Sequence, residues 1–573
     1  IREKNKVRIL NLIIRKIETR EIASCRFAFE PGLTDRQKFA RALEWWDDAE
    51  FHLHFACRSP ELLDELLGGS LSPETMTTLY KAQEAGIPFF INPYYLSLLN
   101  VHVPYFAVGA DQAIRDYIIY SDKLVEEFGH IHAWEKEDVI EPGKPNAAGW
   151  LLPSTHNVHR RYPDLAILIP DTTGRACGGL CAACQRMYDF QNGHLNFDLD
   201  ELSPSESWPE KLARLMTYFE NDSQIRDILV TGGDTFMSSD RALEELLQAI
   251  YDMALKKRQQ NLSRPDGEKF AEMVRVRLGT RLPAYLPQRI TPKTIHILSD
   301  FRKKAAGIGI QQFVVQTHFQ SSMEITPEAR EAVSKIIAEG WMVTNQLVFT
   351  VAASRRGHTA KLRKVLNDIG VLSYYTFSVK GFMENESLFA TNARSVQEQL
   401  EEKAIGAVPA KENRALQGIA YAPQNVTRVL DQLRKQAGVP FFATDRNMLN
   451  LPGVGKSLSF RTIGLTRDGR RILQFDHDRT RAHSPVIEKM GKVIIIESKS
   501  MSGYLRQLDD MGEDMAEYQD VYGYSIGETQ GRSCVWEYPQ YDFEVTETIT
   551  NLELGNAKRG PRAPERRPYL TPV

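Results

Sequence analysis

Hydrophobic positions in the first hundred residues recur at the spacing of helices that bury one face. Periodic apolar stretches at 38–53 and 60–85 predict a mainly helical region, taken as 1–155. A polar connection over 130–155, with Glu141-Pro142-Gly143-Lys144-Pro145, ends that region. From about residue 160 the pattern changes. Apolar runs at 165–170, 227–231, 275–278, 312–316, 342–349 and 373–379 alternate with amphipathic segments. Short runs rich in Val, Ile, Leu and Phe between helices predict βαβ units and a parallel sheet buried on both faces. The expected fold class is α/β, a partial barrel of the (β/α)6 type over 156–394, with a helical N-terminal region and a C-terminal extension. In such barrels, chemistry belongs at the carboxyl ends of the strands. Residues 395–440 read as a charged helical insertion, opening with Ser395-Val396-Gln397-Glu398-Gln399-Leu400. The remainder, 441–573, mixes strand-like and loop-like stretches and ends in a Pro/Arg-rich segment, 558–573, expected to pack poorly. No internal repeat is evident.

Composition narrows the function classes. The chain has 573 residues, 42% hydrophobic and 25% charged, enough for a large core and two or three domains. A net charge of −3 argues against a nucleic-acid binder that relies on a basic surface. No apolar run approaches the roughly 20 residues of a membrane span, and no signal peptide is evident, so no membrane partner is expected. Six cysteines in so long a chain are not a disulfide framework, and a reducing, cytoplasmic compartment is expected. Cys25, Cys57 and Cys534 are isolated and read as small buried hydrophobes.

Cys177, Cys181 and Cys184 stand apart, in the run Cys177-Gly178-Gly179-Leu180-Cys181-Ala182-Ala183-Cys184. Three thiolates fall one short of a structural zinc site. They suffice to hold three irons of a [4Fe–4S] cluster and leave the fourth open as a reaction site. A second element, Thr231-Gly232-Gly233-Asp234, follows the apolar run Ile228-Leu229-Val230. Its two glycines let the backbone approach a ligand closely. A third is Pro452-Gly453-Val454-Gly455-Lys456-Ser457. A nucleotide-triphosphate loop needs Gly five residues before Gly455, where Asn450 stands. A glycine loop with one lysine also suits covalent attachment of pyridoxal phosphate (PLP).

The cysteine spacing resembles the signature of radical S-adenosylmethionine (SAM) enzymes, and the wider set of motifs resembles the lysine 2,3-aminomutase family within them. The likeness runs from about residue 91 to residue 457. It includes Pro93-Tyr94-Tyr95-Leu96, His159-Arg160-Arg161-Tyr162, the cysteines with Arg186, and Thr231–Asp234. Further on it takes in Arg281-Leu282-Pro283, Gln316-Thr317-His318, Asn345-Gln346, Tyr374-Tyr375 and the loop ending at Lys456. The resemblance implies an isomerase that moves an amino group from the α- to the β-carbon, using a [4Fe–4S] cluster, SAM and PLP. It implies that Cys177, Cys181 and Cys184 hold the cluster, and that Lys456 bonds PLP and is catalytic. Arg161 and Tyr162 would lie near the PLP phosphate, with Gly232, Gly233, Asp234, His318 and Gln346 along SAM. Arg186 would take the substrate α-carboxylate, which an Arg fork suits. A reductant protein such as flavodoxin or ferredoxin and a homo-oligomer are the implied partners.

The chain also departs from the family. Leu165 replaces a second arginine near the phosphate, Ala182 stands where an arginine is common, and the glycine loop is one residue shorter. At the two positions where lysine enzymes place aspartates, this chain has Lys380 and Asn450, so formal charge moves from −2 to +1. That pair resembles the glutamate 2,3-aminomutases and implies conversion of L-glutamate to β-glutamate. The alternatives are a lysine 2,3-aminomutase, a related enzyme acting on another amino acid, and a catalytically silent homologue.

Overall fold

The computed structural model describes residues 1–21, 26–100, 109, 111–131, 158–170, 177–184, 187–191, 193, 197, 207–231, 233–379, 383–391, 393–394, 397–398, 401, 415, 418–442, 447–450, 458–465, 470–477, 493–518, 521 and 552–554. Of 159–162, 188–189, 379, 447–450, 458–465, 474–477, 493–495 and 552–554, it describes the backbone alone.

The N-terminal region is helical because its caps are written into it. Ser59, Ser72 and Asn92 each precede a proline, and each side chain accepts a hydrogen bond from the backbone N–H three residues on. Proline at the first helical position loses no hydrogen bond there, and a Ser or Asn cap is worth about 1 kcal/mol. Thr34 and Gln37 form a reciprocal capping box at the start of helix Asp35–Trp45. The two long periodic stretches of the sequence each break in two. Helices Pro60–Leu66 and Pro73–Glu84 are separated at Gly68 and Gly69, which take φ of +72° and +70°. Glycine meets that conformation without a Cβ clash. Buried aromatic residues, among them Trp46, Phe51, Phe55 and Tyr95, fill the core of this region.

An eight-stranded sheet follows in sequential order, β1 to β8. β1 (Val158–Tyr162) runs antiparallel to β2 (Leu165–Leu168). The rest are parallel: β3 (Asp227–Val230), β4 (Arg275–Gly279), β5 (Gln312–Thr317), β6 (Met342–Val348), β7 (Val371–Val379) and β8 (Asn447–Asn450). Among the described residues nothing joins β8 back to β1, so the sheet stays open. The six apolar runs of the sequence are β2 to β7. β1 and β8 lie beyond that reading, β1 because Val158-His159-Arg160-Arg161-Tyr162 is polar, and β8 because Asn447-Met448-Leu449-Asn450 is short and bounded by asparagines.

Alternate strand residues such as Ile228, Val230, Val276, Leu278, Phe313, Val315 and Val343 share a core with Leu246, Leu298, Ile336 and Leu366 of the crossover helices. The intervening positions include Asp227, paired with Arg277 at 2.9 Å. That alternation carries one face to the helices and leaves the other for polar groups.

A second sheet, in the order β12-β11-β10-β9, is antiparallel throughout. Its strands are β9 (Leu458–Leu465), β10 (Arg471–His477), β11 (Val493–Ile496) and β12 (Leu552–Leu554). Arg471 is wholly buried and paired with Glu497. Helix Met501–Asp510 docks on the segment that follows β6 through the Tyr504 hydroxyl, 2.9 Å from Ser354 Oγ. No described helix is long and apolar enough to cross a membrane.

Candidate active site

The cysteine loop lies beyond the end of β2 and is held by close packing. Gly178 and Gly179 are buried, and a Cβ on Gly179 would come within 2.1 Å of the Tyr285 hydroxyl. Only glycine fits there. The Ala182 N–H donates to the Tyr117 carbonyl and the Cys184 N–H to the Cys181 carbonyl, both at 2.9 Å. The thiols of Cys177, Cys181 and Cys184 are half-buried against the N-terminal core, and none is disulfide-bonded.

Arg281, two residues beyond β4, is the electrostatic centre of this loop. Its Nη1 donates to Cys181 Sγ at 2.8 Å and its Nη2 to the Tyr95 hydroxyl at 2.6 Å. The guanidinium carbon lies 3.8 Å from the Tyr117 ring centre, 4.8 Å from Tyr285 and 4.9 Å from Tyr95. Such contacts suit a desolvated cation. Glu324, which is fully buried, is 3.4 Å from Nη2. Its carboxylate also accepts from the Tyr95 hydroxyl and from the Gln320 and Ser321 N–H groups. Burial pushes the Cys181 thiol up, while Arg281 and the Tyr117 hydroxyl pull it down toward the thiolate. Sequence reasoning gave no role to Arg281, Tyr95, Tyr117, Tyr285 or Glu324. The signal available was an arginine directly after the strand-end pair Gly279-Thr280.

Asp234 ties two strand ends together. It accepts from the Phe236 N–H at 3.0 Å, from the Thr280 hydroxyl at 2.6 Å and from the Arg281 N–H at 2.6 Å. Burial raises its carboxyl to about 6, with those donors opposing. Gly233 precedes it in the same loop. His318, beyond β5, has Nε2 3.0 Å from Gln346 Oε1 on β6. Burial lowers the His318 ring to about 4, so it is neutral at pH 7. Cys177–Cys184, Gly233, Asp234, His318 and Gln346 thus cluster beside the carboxyl ends of β2 to β6. Arg186, Gly232, Lys380 and Lys456 lie outside the described residues, as do the side chains of Arg161, Tyr162 and Asn450. Their backbones place Arg161 and Tyr162 in β1 and Asn450 at the end of β8.

Among the described residues no three His, Cys, Asp or Glu side chains converge on a single metal ion. A cuboidal cluster takes each thiolate on a different iron and asks for spacing instead of convergence. Three half-buried thiols on a glycine-packed loop, with a buried guanidinium aimed at one sulfur, fit a negatively charged thiolate cluster.

Fold and site together define a class: an open, mainly parallel α/β sheet with a three-cysteine loop beside the carboxyl ends of its strands. No family model matches the chain. An uncharacterised KamA family protein of Methanocaldococcus jannaschii is 29% identical over 474 residues, 81% of this chain and 62% of that protein. The L-lysine 2,3-aminomutase of Methanococcus maripaludis is 25% identical over 58% of this chain and 64% of its own length. The glutamate 2,3-aminomutase of Clostridioides difficile is 28% identical over 52% of this chain and 58% of its own length. The chain therefore spans less than two thirds of each of these relatives. The chain is thus similar to proteins named as KamA family members and as lysine and glutamate 2,3-aminomutases.

Proposed function

We propose that this chain is an amino acid 2,3-aminomutase, an isomerase dependent on SAM and PLP, and that its substrate is L-glutamate. The observation that carries the reading is the meeting of the Cys177–Cys184 loop with the ends of β3, β4 and β5 through Arg281, Asp234 and Glu324. Cys177, Cys181 and Cys184 would hold the [4Fe–4S] cluster and Lys456 would anchor PLP. With both bound, the cofactors supply a radical that moves a hydrogen and a carrier for the migrating amino group.

The chain's own residues do the rest. Gly233 offers backbone to SAM at a strand end, and neutral His318, fixed by Gln346, offers an uncharged edge. Asp234 holds the β3 and β4 loops in one arrangement. Arg186 would bind the α-carboxylate in a bidentate fork.

Substrate choice rests on Lys380 and Asn450. Val379, the residue before Lys380, pairs with Asn450 across β7 and β8, which supports placing the two positions side by side. A lysine side chain near Lys380 would be repelled by about 4 kcal/mol at 4 Å and an effective dielectric of 20. A carboxylate would gain a charge-assisted hydrogen bond instead. The test is an anaerobic assay with SAM, PLP and dithionite across a panel of amino acids. β-Glutamate from L-glutamate is the expected product. Turnover of lysine with none of glutamate would overturn the substrate, and turnover of no amino acid would overturn the enzyme.

A further inference from the structure

We propose that Arg281 is a positioning residue that sets the redox poise of the cluster, through its hydrogen bond to Cys181 Sγ. The inference rests on the cluster reading above. A ligand sulfur that accepts an N–H bond from a cation carries its negative charge more easily, and hydrogen bonds to cluster sulfurs are among the terms that set the potential. Reduction adds one electron to the cluster and breaks no bond, so a nearby positive charge favours the reduced state.

The surroundings of Arg281 hold that charge in place. The Tyr95, Tyr117 and Tyr285 rings close around the guanidinium, and its side chain is only 11% exposed. It cannot swing into water. Glu324 neutralises it only in part, because both carboxylate oxygens already accept other donors, Tyr95 on one and the Gln320 and Ser321 N–H groups on the other. The contact of 2.8 Å to sulfur is shorter than the 3.4 Å to Glu324. A purely structural role would need the same contacts, since Arg281 joins the cysteine loop to the N-terminal region. A potential separates the two roles.

The experiment compares the parent chain with Arg281→Met, Arg281→Lys and Tyr95→Phe, each reconstituted anaerobically with iron and sulfide in the absence of SAM and PLP. Iron per chain is measured, and the reduced-cluster electron paramagnetic resonance signal is followed against poised potential with dithionite as reductant. Arg281→Met is expected to keep the parent's iron and to shift the reduced-to-oxidised ratio at fixed potential about tenfold toward oxidised, a fall of about 59 mV for one electron. Arg281→Lys, which keeps the charge and loses the fork, is expected to fall by less. Arg281→Met with full iron and the parent's midpoint would overturn the proposal. If Arg281→Met cannot hold a cluster, lowered midpoints in Arg281→Lys and Tyr95→Phe support it and unchanged midpoints in both overturn it. A parent chain that binds no cluster would overturn the cofactor reading as well, whereas a cluster indifferent to Arg281 would overturn this inference alone.

Discussion

At the scale of single residues, the three cysteines divide the chain's thiols into two kinds. Replacing Cys177, Cys181 or Cys184 with Ala is expected to remove most bound iron after reconstitution, and replacing Cys57, buried with its thiol raised to about 12, is expected to leave it. Iron and sulfide analysis of the four proteins checks this. Full iron in Cys181→Ala would show that the loop is not the ligand set. Gly179 gives a second test, since its missing side chain is what admits the Tyr285 hydroxyl. Gly179→Ala is expected to cost about 1–3 kcal/mol by overpacking, read as a lower denaturation midpoint in urea. The cysteines stood out in the sequence because three thiols within eight residues leave a local spacing. Arg281 did not. Its partners Tyr95 and Glu324 are 186 and 43 positions away, and only the fold gathers them.

At the scale of elements, β2 to β7 were legible because their helix-facing residues make short apolar runs. β1, Val158-His159-Arg160-Arg161-Tyr162, and β8, Asn447-Met448-Leu449-Asn450, hold no such run. Helix Ala49–His54 was legible in its periodicity but not in its chemistry, because its inward His52 reads as a polar position. His52 is fully buried, with Nε2 2.7 Å from the Trp46 carbonyl and Nδ1 unpartnered among the described atoms. Burial lowers it to about 3. The folded value lies below the unfolded one, so protons bind the unfolded chain first, and stability falls as pH drops from about 6.5 toward 3. By pH 5 this one residue should cost about 2 kcal/mol relative to pH 7.5. Glu384 and Glu398, raised to about 7 by burial, act in the opposite direction, so the parent's own profile mixes the two. His52→Gln keeps a donor for Trp46 and cannot titrate in this range. Its urea midpoint should therefore fall less between pH 7.5 and 5 than the parent's. Equal falls would mean that His52 is not buried neutral.

At the scale of the whole molecule, the proposed substrate depends on Lys380 and Asn450, about seventy residues apart in sequence. The sequence could point to Lys380 and Asn450 only through the family resemblance, since neither belongs to a local motif of its own. The fold adds that Val379 and Asn450 are paired neighbours. A charge pair between Lys380 and the substrate side chain would be worth about 4 kcal/mol at 4 Å and an effective dielectric near 20. Lys380→Asp reverses the sign at one position and leaves the cluster loop, Asp234 and His318 untouched. It is expected to lower kcat/KM for glutamate by about 1,000-fold, the factor that about 4 kcal/mol represents. Reductive cleavage of SAM by the same variant, measured without amino acid, should stay within a few-fold of the parent. Parallel loss of both activities would mean that residue 380 supports the fold rather than the substrate. Loss of neither would place the determinant of side-chain choice elsewhere in the barrel mouth.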